Sequence, residues 1–150
     1  MKKIFFATCI LLVFLSFYAC GAEDETMAQV DKLNFFVVDA SSDSELSIIP
    51  DEEIGTLDVY FVQDFTENEE IYETEGIVGG DYYEDYKKVV EIGQKYEMLA
   101  KNPESAIYLE FIIEDEKMFL DVDNFMSEED KKFISNYYKE VVELFTEDLL

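Results

Sequence analysis

The sequence predicts an α+β domain: an antiparallel sheet of about four strands with two helices packed on one face, in the order ββαββα. Three observations carry that expectation. Leu57-Asp-Val-Tyr-Phe-Val-Gln-Asp-Phe65 alternates, with Leu57, Val59, Phe61 and Phe65 on one side and Asp58, Tyr60, Val62 and Asp64 on the other. Such a strand belongs to an antiparallel sheet that is covered on one face and wet on the other. Ala106 to Val122 reads as a hairpin, and two later stretches repeat apolar residues at helical spacing.

Taken in order, Leu33-Asn-Phe-Phe-Val-Val38 is dense in β-branched and aromatic residues and reads as the first strand. Asp39 to Glu53 is a Ser/Asp/Glu-rich connection containing Pro50, in which Leu46 to Ile49 has the makings of a short strand. After the alternating strand, Thr66 to Gly80 reads as a long acidic loop, with room for a short strand at Ile71 to Glu73. Asp81 is then the expected N-cap, with Glu84 three positions on, and the helix is expected to run to about Lys101. Its stripe is Tyr82, Tyr86, Val89, Gly93, Tyr96 and Ala100, supported by Glu84–Lys88 and Glu91–Lys95 pairs. Ala106-Ile-Tyr-Leu-Glu-Phe-Ile-Ile113 is apolar enough for a central strand, Glu114 to Lys117 turns, and Met118 to Val122 returns antiparallel. Ser127 caps a second helix to about Phe145, with Glu128, Glu129 and Asp130 at the positive end of its dipole.

Ahead of this domain, Lys2 and Lys3 precede an apolar run from Ile4 to Tyr18, followed by the small residues Ala19 to Ala22 and the acidic Glu23-Asp-Glu25. That is the layout of a secretory signal, short for a membrane span of about 20 residues. The expected organisation is a signal peptide at 1–19, a flexible acidic tether at 20–31 and a single domain at 32–150. A tether of that length spans roughly 15–20 Å as a flexible coil. The formal charge is −25, from 36 acidic residues against 11 basic ones, and Arg, His and Trp are absent. A phosphate backbone demands clustered Lys and Arg, so nucleic acid is an unexpected partner, and a basic protein is an expected one.

"LVFLSFYACGAED", residues 12–24, resembles the end of a bacterial lipoprotein signal, in which a cysteine after a small residue is acylated and becomes the new N-terminus. Ala19 matches the small residue and Gly21 is an acceptable follower. The resemblance implies lipid attachment at Cys20, export, and anchoring at the cell envelope, at the outer membrane or cell surface where there are two membranes. Two rival readings stay open. Small-x-small patterns also permit cleavage before Ala22 or Glu23, which would discard Cys20 and release a soluble secreted protein, and the other reading keeps Cys20 as a free thiol for intermolecular pairing.

The domain lacks the usual means of chemistry. Without His there is no Ser-His or Cys-His nucleophile and no imidazole ligand, and Cys9 and Cys20 both precede the domain. "DVDNFMSEED" begins like a calcium loop at Asp121 and Asp123, then places Phe125 and Met126 where a ligand and a glycine are needed. It reads instead as strand end, turn and helix cap. Catalytic residues, metal ligands and cofactors are accordingly expected to be none. The candidate interaction residues are Tyr83, as the exposed member of the "DYYEDY" cluster, and Glu67, Glu69 and Glu70 near a sheet edge. The expected function is that of a monomeric, non-enzymatic, lipid-anchored envelope protein that binds a basic partner. The alternatives are a structural or assembly lipoprotein of the envelope, or a secreted carboxylate- or calcium-dependent protein.

Overall fold

The computed structural model describes residues 29–65 and 70–146. Its strands are β1 (Lys32–Val38), β2 (Ser42–Asp51), β3 (Thr56–Phe65), β4 (Glu70–Gly79), β5 (Ile107–Ile113) and β6 (Glu116–Asp121). The helices are α1 (Asp81–Gln94), the single turn α2 (Val122–Phe125) and α3 (Glu128–Thr146). The strands form one antiparallel sheet in the order β4-β3-β2-β1-β5-β6. The class is α+β as the sequence predicts, but the sheet has six strands rather than about four and there are three helices rather than two.

The two added strands come from stretches read as connections. β2 buries Leu46 and Ile48 and turns Asp43, Glu45, Ser47 and Ile49 to the other side. Pro50 is tolerated because the β1–β2 register ends at Leu33↔Ile48, so its missing N–H faces no neighbour there. β4 replaces most of the expected acidic loop. Tyr72 and Val78 pack toward the core, while Ile71, Glu73, Glu75 and Ile77 are exposed. At an edge, bonded on one side to β3, a strand can carry so much charge.

β1 and β2 sit in the middle of the sheet, and Leu33, Phe35, Leu46, Ile48, Leu109 and Phe111 are fully buried on the face the helices cover. Each such side chain contributes about 1.5–3 kcal/mol by leaving water. Onto them α1 lays Tyr86, Val89, Val90 and Ile92, and α3 lays Ile134, Tyr137 and Val141. Val30, just before β1, is already buried in this core, and the Asp31 N–H donates to Ile112 O at 2.8 Å.

Helix boundaries moved where tertiary contacts outweigh local preference. Gly80, at φ 63°, is the N-cap of α1 in place of Asp81, and its carbonyl accepts the N–H groups of Tyr83 and Glu84. Asp81 and Glu84 still sit in the first turn, where the helix dipole favours them. α1 stops at Gln94, short of Lys101, and the chain crosses to the far edge of the sheet. There Leu99 and Phe119 exchange two backbone hydrogen bonds of 2.6 and 2.8 Å. The ion pairs shift too: Lys87 meets Glu84 and Lys88 meets Asp85, each three residues apart, while Lys95 reaches Asp130. At α3 the expected cap stands, with Ser127 Oγ accepting the Asp130 N–H at 3.2 Å.

Candidate interaction surface

The helices cover one face of the sheet, and the opposite face divides into two unlike halves. Over β1, β5 and β6, together with Ser47 of β2, it satisfies itself. Ser47 Oγ donates to Asn34 Oδ1, Asn34 Nδ2 donates to Glu110 Oε1, both at 2.8 Å, and Lys117 Nζ donates to Glu110 Oε2 at 3.1 Å. Asn34, Ser47 and Glu110 are all buried, as polar groups so connected can be. Beside them the rings of Phe36 and Tyr108 stack at 4.8 Å.

Over β2, β3 and β4 no described residue covers the same face. The registers Ile49↔Asp58↔Ile77 and Tyr60↔Glu75 set apolar and acidic side chains next to each other across three strands. Ile77 is 71% exposed and Ile49 48% exposed, values that no buried sheet position shows. Asp43, Glu45, Asp64 and Glu73 extend the acidic surface, and no lysine is placed on this side of β2, β3 or β4. Among the described residues none of these carboxylates has an ion-pair partner. An open depression of about 490 Å³ lies here, lined by Lys32 of β1 together with Ile49, Asp58, Tyr60, Glu75 and Ile77.

Tyr60 reports the field of this surface. Partial burial raises its phenol above the ordinary value, and the carboxylate of Glu73, which its hydroxyl reaches, raises it further, with Glu75 and Glu45 adding to the effect. All of these disfavour a phenolate, and the three charges that act on it are negative, with Lys32 the cation that lines the same depression. The same field that opposes an added negative charge favours a positive one.

The residues singled out from the sequence do not assemble. Tyr83 is half-buried rather than freely exposed. Its ring stacks on Tyr86 with centroids 6.3 Å apart, and Lys87 Nζ sits 5.3 Å from its centroid. It lies beside Gly55, at the start of β3. Glu70, exposed, pairs with Phe65 at the other end of that strand, about 30 Å away along ten residues. Glu67, Glu69 and Cys20 lie outside the described residues. The calcium-like stretch around Asp121 forms a cap: Asp121 accepts from Asn124 N at 3.0 Å and Asn124 Nδ2 at 2.8 Å. Among the described residues no three acidic side chains converge as a metal site, and no helix is long and apolar enough to cross a membrane.

The sequence already displayed half of this surface. The outward set Asp58, Tyr60, Val62 and Asp64 is legible from alternation in β3. Ile49, Glu75 and Ile77 were hidden because their strands read as connections, although the period-2 pattern Ile71, Glu73, Glu75, Ile77 was present. Comparison of the chain with protein-family models, with curated proteins and with solved structures finds no match.

Proposed function

We propose that this chain is a non-enzymatic, lipid-anchored cell-envelope protein whose uncovered sheet face binds a protein with a basic surface. The observation that carries the binding role is the open β2–β3–β4 face, where exposed isoleucines are interleaved with carboxylates that lack cationic partners among the described residues. Exposed apolar side chains supply the burial that holds a partner, and the surrounding charge selects its sign and speeds its arrival. The anchor rests on the lipoprotein-like segment ending at Cys20. Several acyl chains would hold the domain firmly at the membrane.

Two measurements test the two halves. Mass spectrometry of the native N-terminus is expected to find an acylated Cys20; a free Ala22 or Glu23 overturns the anchor. A pull-down from envelope extract is expected to recover a basic protein at low salt and lose it at high salt, since screening shortens the reach of surface charges. The charge-reversed variant Asp58→Lys, Glu75→Lys is expected to recover none. Capture indifferent to both salt and charge reversal refutes the binding role.

A further inference from the structure

Among the described residues the fold closes one edge of its sheet and leaves the other unpaired. At the β6 edge the chain's own segment around Leu99 bonds to Phe119. At the β4 edge, among the described residues, nothing pairs on the outer side of Glu70–Gly79. We infer that this edge takes up an extended basic segment of the partner as a seventh strand, an inference that rests on the basic-partner reading above and gives it a binding mode.

An unpaired edge ten residues long offers a row of backbone donors and acceptors, which supply affinity in strand addition, while alternate side chains supply specificity. Here the specificity is written on the open face as Ile71, Glu73, Glu75, Ile77. An added strand sets its own alternate residues opposite these, so the complementary order is apolar, basic, basic, apolar. The order reads the same in both directions, and a parallel or an antiparallel strand therefore meets the same requirement. The depression beside Glu75 and Ile77 has room for a long lysine or arginine side chain, whose stem suits Ile77 and Tyr60 and whose head suits Glu75 and Asp58, two carboxylates against the one ammonium of Lys32 in the lining.

The alternative occupant, a second copy of this chain, is disfavoured by the same residues. Two β4 strands related by a two-fold axis at Thr74 would place Glu73 opposite Glu75 and Glu75 opposite Glu73. Residues 20–28 of this chain, which are acidic and carry no lysine, suit the edge no better.

The test uses the full chain in nonionic detergent and two synthetic peptides, acetyl-Ile-Thr-Lys-Thr-Lys-Thr-Ile-amide and the same sequence with every backbone amide N-methylated. The methylated peptide keeps every charge and cannot complete a strand ladder. Binding is read by titration calorimetry and by hydrogen–deuterium exchange over Glu70–Gly79. The expected result is that the unmodified peptide binds at least about tenfold more tightly than the methylated one and slows exchange in β4. Glu73→Lys, Glu75→Lys is expected to reverse the preference, toward a peptide with Glu in place of both lysines. Equal, salt-sensitive binding of both peptides without protection of β4 overturns strand addition and leaves the basic-partner reading standing. Binding of neither peptide overturns strand addition, and the failure of the envelope pull-down in the same salt series would then remove the basic partner as well. Protection of β4 that rises with protein concentration in the absence of peptide assigns the edge to a second copy and overturns the inference.

Discussion

A Cβ placed on Gly93 would overlap Cζ of Phe111, so α1 rests on the sheet through a bare Cα pressed against a buried ring. Phe111 is fully buried on β5 and has little room to retreat. Two effects compete in Gly93→Ala. Alanine gains about 1 kcal/mol in helix propensity, and overpacking a tight core costs about 1–3 kcal/mol. Because the clashing ring is enclosed, packing wins, and urea denaturation is expected to show a net loss of up to about 2 kcal/mol. Adding Phe111→Leu to Gly93→Ala is expected to cost less than the sum of the single changes, since the two residues share one contact.

Tyr96 ties the end of α1 to the start of α3. Its hydroxyl donates to Asp130 Oδ2 and accepts the Ser127 N–H at 3.1 Å. The bond from Tyr96 holds the Asp130 carboxyl below the ordinary carboxylate range, burial opposes this, and Ser127 and the Lys95 ammonium assist. A carboxyl whose folded value is depressed stabilises the fold above its unfolded pKa and loses that contribution as pH falls through the folded one. Asp130→Asn is therefore expected to cost about 1 kcal/mol at pH 7, the low side for a charge-assisted bond at the surface. The gap between wild type and variant should close as the medium is acidified below about pH 4. Following the difference removes the contribution of the other acids, whose mutual repulsion is also relieved by acid. A gap that persists unchanged at pH 2 contradicts the assignment.

The Glu114–Asp115 turn between β5 and β6 places both residues at positive φ, 50° and 66°. Two-residue hairpins of this hand favour Asn-Gly, which reaches that region with little strain. Glu114→Asn with Asp115→Gly is expected to stabilise the protein by about 0.5–1 kcal/mol. The hairpin register Ile113↔Glu116 leaves room for that exchange. An unchanged or lowered urea midpoint contradicts the expectation.

The hairpin was legible in the sequence for the same reason that β4 was not. Ile107–Ile113 is buried on both sides over much of its length and is apolar in consequence. β4 needs apolar residues on only one half-covered face, so Glu70, Glu73 and Glu75 make it read as a loop. The second helix was legible nearly to the residue because Ser127 and three acids mark its start. The end of α1 was not, because it is set by the pairing of Leu99 with Phe119, a contact between distant segments that no local pattern records. The open face follows this division: Asp58 and Tyr60 could be read from β3, whereas Ile49 and Ile77 emerge only once β2 and β4 flank it.

The acids of β4 also bear on self-association. A ten-residue edge with Ile71 and Ile77 exposed is the kind of strand that pairs with its own copies unless something prevents it. Glu73 and Glu75 are placed to do so, since each would face a like charge in a two-fold edge-to-edge dimer, and opposed like charges destabilise cross-strand pairs. Replacing both by valine leaves a run of β-branched residues with the repulsion removed. The variant Glu73→Val, Glu75→Val is expected to form dimers or larger species by light scattering at concentrations where the wild type remains monomeric. Raising the salt is expected to move the wild type part of the way in the same direction, because screening weakens the repulsion without adding apolar surface. A double variant that stays monomeric throughout would show that the edge is guarded by something other than these two carboxylates.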